Sequence, residues 1–499
     1  MGSVTVNFLR SKGTINRNIY GHFAEHIGGV FYDGLWVGES SQVENMRGFR
    51  KTLVESFRKL NPPVLRWPGG CFAELYDWRD GIGPRESRPV RAGWWYAWDQ
   101  RTESNAVGTH EFIDFCRMVG AEPYFAANMT TVTPLHIRNW MEYCHLPADT
   151  TTLAKERAQN GAVEPFGVRY WGIGNENWGG GGQMTPEQCA REYIRFTTVC
   201  NSLDRGAFRF IMCGANGHDI AWTRRLMQEW KRGSEEAPTY GMSVHYYTNQ
   251  GWPGDPIHFA KDDWYLQMFN ADYMQRVLDD HRAAMDEFDP ERKIGLIIDE
   301  WGNWHRDGTG PSNGYNLFEQ QSNMRDAVVA AMTLNMFNNR CDSVIMANVA
   351  QLCNNLHSLY LASGDQFVET PNYHVFDMFK AHQDAHQLET IVDCPVREME
   401  AHKPLATVSA SASEKEGVVT ITLCNLDLEA SETLTLNALG RKLQGEGSLT
   451  VLAHEEPRTV NSFENPYAVV PVCVSRSFKS GDSVTLPPAS VATITISMM

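Results

Sequence analysis

Residues 168–178 read Val-Arg-Tyr-Trp-Gly-Ile-Gly-Asn-Glu-Asn-Trp, a short apolar run that stops on Gly174-Asn175-Glu176. A run of this length bounded by glycine predicts a buried strand. Seven further runs of the same kind lie near Tyr20–Glu25 and at Val64–Trp67, Pro123–Asn128, Phe208–Gly214, Gly241–Tyr246, Ile294–Glu300 and Ser343–Asn348. Helical patterns separate them. Phe112, Phe115, Cys116 and Val119 keep i, i+3, i+4, i+7 spacing over Thr109–Val119, and Thr185-Pro186-Glu187-Gln188 supplies an N-cap, a proline at N1 and a capping-box glutamine. Eight strand–helix repeats over roughly 370 residues predict an α/β fold, a (β/α)8 TIM barrel with enlarged loops.

The text changes beyond about Ala406. Gly417–Asn425, Ser431–Leu436, Ser448–His454 and Ser490–Ser497 alternate apolar and polar residues, whereas all 15 tryptophans lie between Trp36 and Trp304. This predicts a C-terminal antiparallel β-sandwich, jelly-roll-like, joined by an N-terminal strand at Ser3–Leu9, which alternates in the same way. The expected division is 1–14 for that strand, 15–385 for the catalytic barrel and 386–499 for the sandwich.

Whole-chain arithmetic narrows the function. The 499 residues exceed one small stapled module, and 60 acidic against 44 basic residues give a formal net charge of −16, spread without an acidic tail. Nucleic acid and an anionic membrane surface are therefore excluded as partners, and a small neutral ligand is favoured. The 11 cysteines are odd in number and form no C-x-x-C pair, so neither a disulfide framework nor a cysteine zinc site is expected. The first residues lack an apolar signal-peptide core and no stretch of about 18 apolar residues occurs, which predicts a cytoplasmic protein.

Active residues of such barrels come from the C-terminal ends of strands. Here those ends carry His22–His26, Arg66-Trp67-Pro68-Gly69-Gly70-Cys71, Asn128, Gly174–Trp178, His245-Tyr246-Tyr247, Asp299-Glu300-Trp301 and Gln351. Glu176 and Glu300 stand out, because each closes an apolar run and each lies near a tryptophan that can desolvate a carboxyl. Their separation of 124 residues is three strand steps, which places them at the ends of strands four and seven. Two facing carboxyls are the minimal machinery of glycoside hydrolysis, one protonating the departing oxygen and the other acting as nucleophile or base. A lone strand-end glutamate is more often one arm of a salt bridge, so the neighbouring text decides.

That text resembles a known family. Tyr170–Asn177 and Asp299–Trp304 are similar to the strand-four and strand-seven signatures of retaining (β/α)8 glycosidases. Asn18–Gly28, Arg66–Gly70, Asp77–Pro84 and Val349–Leu352 extend the resemblance to glycoside hydrolase family 51, in order from about residue 14 to 380. The resemblance implies an intracellular α-L-arabinofuranosidase that removes non-reducing terminal arabinofuranosyl residues from neutral arabino-oligosaccharides or arabinoxylan fragments. It implies Glu176 as acid/base, Glu300 as nucleophile, and Glu25, Arg66, Asn175, Tyr247 and Gln351 around the furanose ring, with His245 orienting the end of strand six or touching the nucleophile. A homohexamer and no cofactor are also implied. Cys71 departs from the pattern, since many members carry asparagine there. Trp98 and Trp304 are expected to wall the sugar site, and Trp67 and Trp78 to lie in the core.

Two other readings follow from the same residues. Endo-acting β-glucanase or xylanase activity belongs to relatives in the resembled family. His22-Phe23-Ala24-Glu25-His26 is an H-x-x-E-H pattern of zinc hydrolases. That pattern needs a helix, and Gly21 and Gly28-Gly29 oppose one, so no metal site is expected.

Overall fold

In the computed structural model, which describes residues 2–233, 237–249, 254–400 and 402–498, the eight runs become eight parallel strands. They are Gly21–Phe23, Val64–Trp67, Glu122–Ala127, Tyr170–Ile173, Arg209–Met212, Gly241–Thr248, Gly295–Asn303 and Val344–Ala350, and they close into a barrel in sequence order. The register explains the sequence. Arg66 pairs with Tyr124 and Tyr124 with Tyr170, while the next residues along, Trp67, Phe125 and Trp171, pair with one another. Because side chains alternate along a strand, the first set turns to one face and the second to the other. The second set packs outward: Trp67 stacks on Phe112 at 4.9 Å, and Phe125 stacks on Trp140 at 4.8 Å. Trp67 and Trp78 are fully buried, as expected of core residues.

The helices start where their caps dictate. Thr109–Val119 ends on Gly120 at φ +82°, and Pro186–Asn201 opens with the full Thr185/Gln188 capping box. Helix Met324–Asn338 is buried along its whole length. Its Asn335 Oδ1 accepts from Ser411 Oγ at 2.8 Å and from Thr422 Oγ1 at 2.7 Å. Satisfied in this way, hydroxyls of the C-terminal sheet are tolerated in the interior.

The C-terminal residues form a curled, mostly antiparallel nine-stranded sheet over one apolar core that includes Val4, Val6, Ile421, Leu436 and Ile494. Strand His386–Asp393 belongs to both halves: His386–Leu388 pair with Ala412–Glu414, and Glu389–Asp393 pair with the first strand, Gly2–Asn7. Gly2–Asn7 also runs parallel to Glu432–Leu439, so it lies between two strands rather than at an edge. Val408–Lys415 (VSASASEK), not among the expected strands, alternates Val and Ala with Ser, but its apolar positions are small and carry a weak signal, and both faces are largely buried.

The chain falls into two compact units, one of Met1–Tyr20, Tyr247–Arg276 and Trp301–Met499, the other of Gly21–Tyr246 and Val277–Glu300. All 11 cysteines are free thiols, and no described helix is long and apolar enough to cross a membrane.

Candidate active site

Glu176 stands three residues beyond strand four. The strand ends at Ile173, and Gly174 turns the chain at φ +87°, where a Cβ would collide with Asn177 Oδ1. Glu176 itself is left-handed at φ +44°, a conformation that costs a non-glycine residue about 1–3 kcal/mol and that clusters at functional sites. The surrounding bonds hold this turn. Buried Glu74 accepts from the backbone N–H of Asn175 at 2.6 Å and the Asn177 amide at 3.1 Å, and from the backbone N–H groups of Met129 at 2.8 Å and Thr130 at 2.9 Å. Stranding such donors costs about 1–3 kcal/mol each. Glu74→Ala is therefore expected to lower unfolding stability by at least about 3 kcal/mol and to depress activity with it, and Glu74→Gln to lose less. Urea titration measures this, and an unchanged midpoint would refute it.

Glu300 lies within strand seven, every residue of which is buried. The carboxyl oxygens of Glu176 and Glu300 and one His245 nitrogen all lie within 4.8 Å of one another, the one such group among the described residues. His245 Nδ1 is 2.8 Å from Glu176 Oε1 and 3.5 Å from Glu300 Oε2, and its Nε2 is 2.9 Å from Asp299 Oδ1. Burial opposes charge on this imidazole, but Glu300 and Asp299 outweigh it and hold the pKa well above the ordinary histidine value. The ring is thus an imidazolium that bridges carboxylates. Tyr124 donates to Asp299 Oδ2 at 2.8 Å, which fixes the far end of that chain.

Arg66 is the second buried cation. It donates to Glu300 Oε1 at 2.7 Å and to Asn175 Oδ1 at 2.6 Å, and lies 3.6 Å from Asp299. Burial raises the Glu300 pKa, and the charge of Glu176 adds to this, against His245 and Arg66. Gly70 lets the backbone approach these acids, since a Cβ there would stand 3.0 Å from Glu300 Oε1 and 3.1 Å from Glu25 Oε2.

Glu25 Oε1 accepts from the Phe72 N–H at 3.0 Å and Trp95 Nε1–H at 3.2 Å. Burial, and then the charge of Glu300, push its pKa up to about 7. The neutral form is favoured by folding, so this stability is complete below the ordinary carboxyl pKa and is lost as pH rises through 7. Glu25→Gln mimics the neutral form. Its stability advantage over the parent should grow from near zero below pH 4.5 to about 3 kcal/mol above pH 7, read by unfolding at several pH values. A pH-independent difference would contradict this.

The residues singled out in the sequence divide between the two units. Glu25, Arg66, Cys71, Asn175, Glu176, His245 and Glu300 converge in one. The Cys71 thiol donates to Glu176 Oε2 at 3.6 Å and accepts from Asn175 Nδ2 at 3.9 Å. Burial and the charges of Glu176, Glu25 and Glu300 raise its pKa far above the usual thiol value, so it is a neutral thiol. Trp98 is 59% exposed and meets Trp95 edge-on; it is Trp95 that donates to Glu25. Tyr247 and Trp304 lie in the other unit, packed perpendicular at 5.1 Å, and buried Gln351 directly follows strand eight. Tyr247 is on the same strand as His245, and Trp304 directly follows the strand that carries Glu300. His22 and His26 form no metal group: His26 Nδ1 faces Glu103 at 2.9 Å and its Nε2 accepts from Trp67 Nε1 at 3.0 Å. Tyr124, Glu74 and Trp95 receive no role from sequence reasoning, and Asp299 is recognised there only as a strand-end residue.

Known proteins resemble the chain along nearly its whole length. The α-L-arabinofuranosidase 1 domain family matches residues 56–264, and the α-L-arabinofuranosidase C-terminal domain family matches 299–490. The chain is 38% identical over 498 residues to an intracellular exo-α-L-arabinofuranosidase of Bacteroides ovatus, covering 99% of this chain and 95% of the relative. It is 31% identical to a probable α-L-arabinofuranosidase C of Aspergillus niger, covering 86% and 85%. Among solved structures, the GH51 arabinofuranosidase from Xanthomonas axonopodis pv. citri superposes with a TM-score of 0.92 at 35% identity, covering 99% and 100% of the two chains. The Thermotoga maritima α-L-arabinofuranosidase, an arabinose complex, superposes with a TM-score of 0.88 at 29% identity and full coverage of both.

Proposed function

The chain belongs to the α-L-arabinofuranosidases of glycoside hydrolase family 51, and from this premise we propose that it releases non-reducing terminal α-L-arabinofuranosyl residues by double displacement with retained configuration. The observation that carries the mechanism is that one carboxyl oxygen of Glu176 and one of Glu300 lie within 4.8 Å of each other. Retaining glycosidases hold their carboxyls about 5–5.5 Å apart, whereas inverting ones need about 6.5–9.5 Å to admit a water.

In this reading Glu300 attacks the anomeric carbon while Glu176 protonates the leaving oxygen. Arg66, bonded to Glu300 at 2.7 Å, favours the anion that attack requires. Bonding to the sugar then removes that charge, and Glu176, now ionised, takes a proton from water as the glycosyl–enzyme ester is hydrolysed. His245 keeps Glu176 and Glu300 in register. Asn175, held by Arg66 at 2.6 Å, bonds the 2-OH in this reading, and Glu25 and Cys71 contact the same sugar. Tyr247, Gln351, Trp98 and Trp304 complete the sugar walls. Residues 15–385 act as the catalytic barrel, and 386–499 with the strand in 1–14 as the sandwich. The substrate is a neutral oligosaccharide, the setting cytoplasmic and the assembly a homohexamer.

Proton NMR of nitrophenyl α-L-arabinofuranoside hydrolysis is the test. The α-anomer of arabinose should appear first and the β-anomer only by later mutarotation; the reverse order would overturn the mechanism. Release of single arabinose units, with linear xylo- and gluco-oligosaccharides left intact, checks exo action, and internal cleavage of either would favour an endo enzyme.

A further inference from the structure

A second cavity lies in the unit that holds the C-terminal sheet. It has a volume of about 290 Å³ and is bounded by residues from 311–321, from the hairpin Tyr360–Ser363 and Gln366–Glu369, and from 462–464. Its walls carry Glu319, Glu464, Gln321, Gln366 and Ser312 around half-buried Phe463, with no lysine, arginine or histidine among the described lining residues.

This chemistry selects a ligand. The acidic, cation-free wall repels phosphates and carboxylates, and the carboxylates and amides disfavour a purely apolar guest. A metal ion is disfavoured too, because Glu319 already accepts from the Ser312 N–H at 2.6 Å and from Asn316 Nδ2 at 2.9 Å. Buried Gln321 Oε1 has no hydrogen-bond donor. A rotation of the Gln321 side chain would turn this oxygen toward a hydroxyl in the cavity, and a ring of C–H groups can lie on Phe463. The volume sits at the low end of small-molecule sites, room for one or two sugar rings. The same loop carries Phe318, whose ring centre lies 4.9 Å from that of Trp304.

We propose that this cavity, lined by none of the residues of the carboxyl pair, is a second carbohydrate site that takes one or two neutral pentose units. The walls select a polyol; that the polyol is a pentose rests on the proposed function.

The test is titration of the full chain with L-arabinose, together with crystals soaked in it. Two binding events are expected, with sugar density in the cavity beside Phe463 and Gln321. Phe463→Ala and, at an exposed position, Glu464→Ala should each weaken the second event by about tenfold or abolish it. Turnover of the nitrophenyl arabinofuranoside should stay within about twofold, because neither residue belongs to the catalytic group. A single binding event, an empty cavity in soaked crystals, or a second event unmoved by both variants would overturn the proposal. Sugar in the cavity of a chain that does not cleave the arabinofuranoside would instead sink the catalytic reading and leave this one standing.

Discussion

Glu300→Ala will lower kcat on nitrophenyl α-L-arabinofuranoside by about 10⁴-fold or more, because without the carboxylate there is no covalent intermediate. Asp299 is held by Tyr124 and His245, and burial of Cys71 among carboxylates keeps its thiol protonated, so neither supplies a replacement nucleophile. Added azide should restore product as the arabinosyl azide of inverted configuration, since it enters from the face the nucleophile vacates. The fold should survive, because Arg66 retains Asn175 and Asp299 as partners. A loss below about tenfold would remove Glu300 from its proposed role.

Glu176→Ala should behave differently, and the contrast is the stronger test. General acid/base assistance is worth about 10²–10⁴-fold. The loss should therefore be large on oligosaccharides, whose leaving oxygen needs a proton, and small for the first step on activated aryl substrates. Those substrates should then stall as the glycosyl–enzyme, visible as a burst. Azide should release the stalled enzyme as the retained azide, and the alkaline limb of the pH profile should vanish. Equal losses on good and poor leaving groups would show that Glu176 serves structure alone.

The barrel was legible because its strands end on unlike groups: an apolar run closing on Asn175-Glu176 or Asp299-Glu300 announces both a strand and a site. The carboxyl pair followed from those ends. The groups that orient it were less legible, for physical reasons. Tyr124 sits mid-strand in an apolar run, where a tyrosine reads as core. Glu74 follows Cys71-Phe72-Ala73, which carries no pattern, and its role exists only because the turn around Glu176 and the segment after strand three each bring two donors to it. Trp95 and Trp98 are both plausible platforms in the sequence, and only the short helix Tyr96–Asp99 settles which indole reaches Glu25. In the C-terminal sheet, alternation found Val418–Asn425 and Ser490–Met498, rich in β-branched residues, and missed Val408–Lys415, whose apolar positions are mostly alanine, and Val472–Lys479, which is exposed along most of its length.

The placement of Gly2–Asn7 between His386–Asp393 and Glu432–Leu439 has a consequence for biosynthesis. This strand leaves the ribosome hundreds of residues ahead of both of its neighbours, with Asn7 bonded to Glu389 across 382 residues. At roughly 5–20 residues per second, that strand stays unpaired for about 20–80 seconds while the whole barrel is synthesised. Its exposed valines are then a target for chaperones or for a neighbouring nascent chain until His386–Asp393 and Glu432–Leu439 have been made.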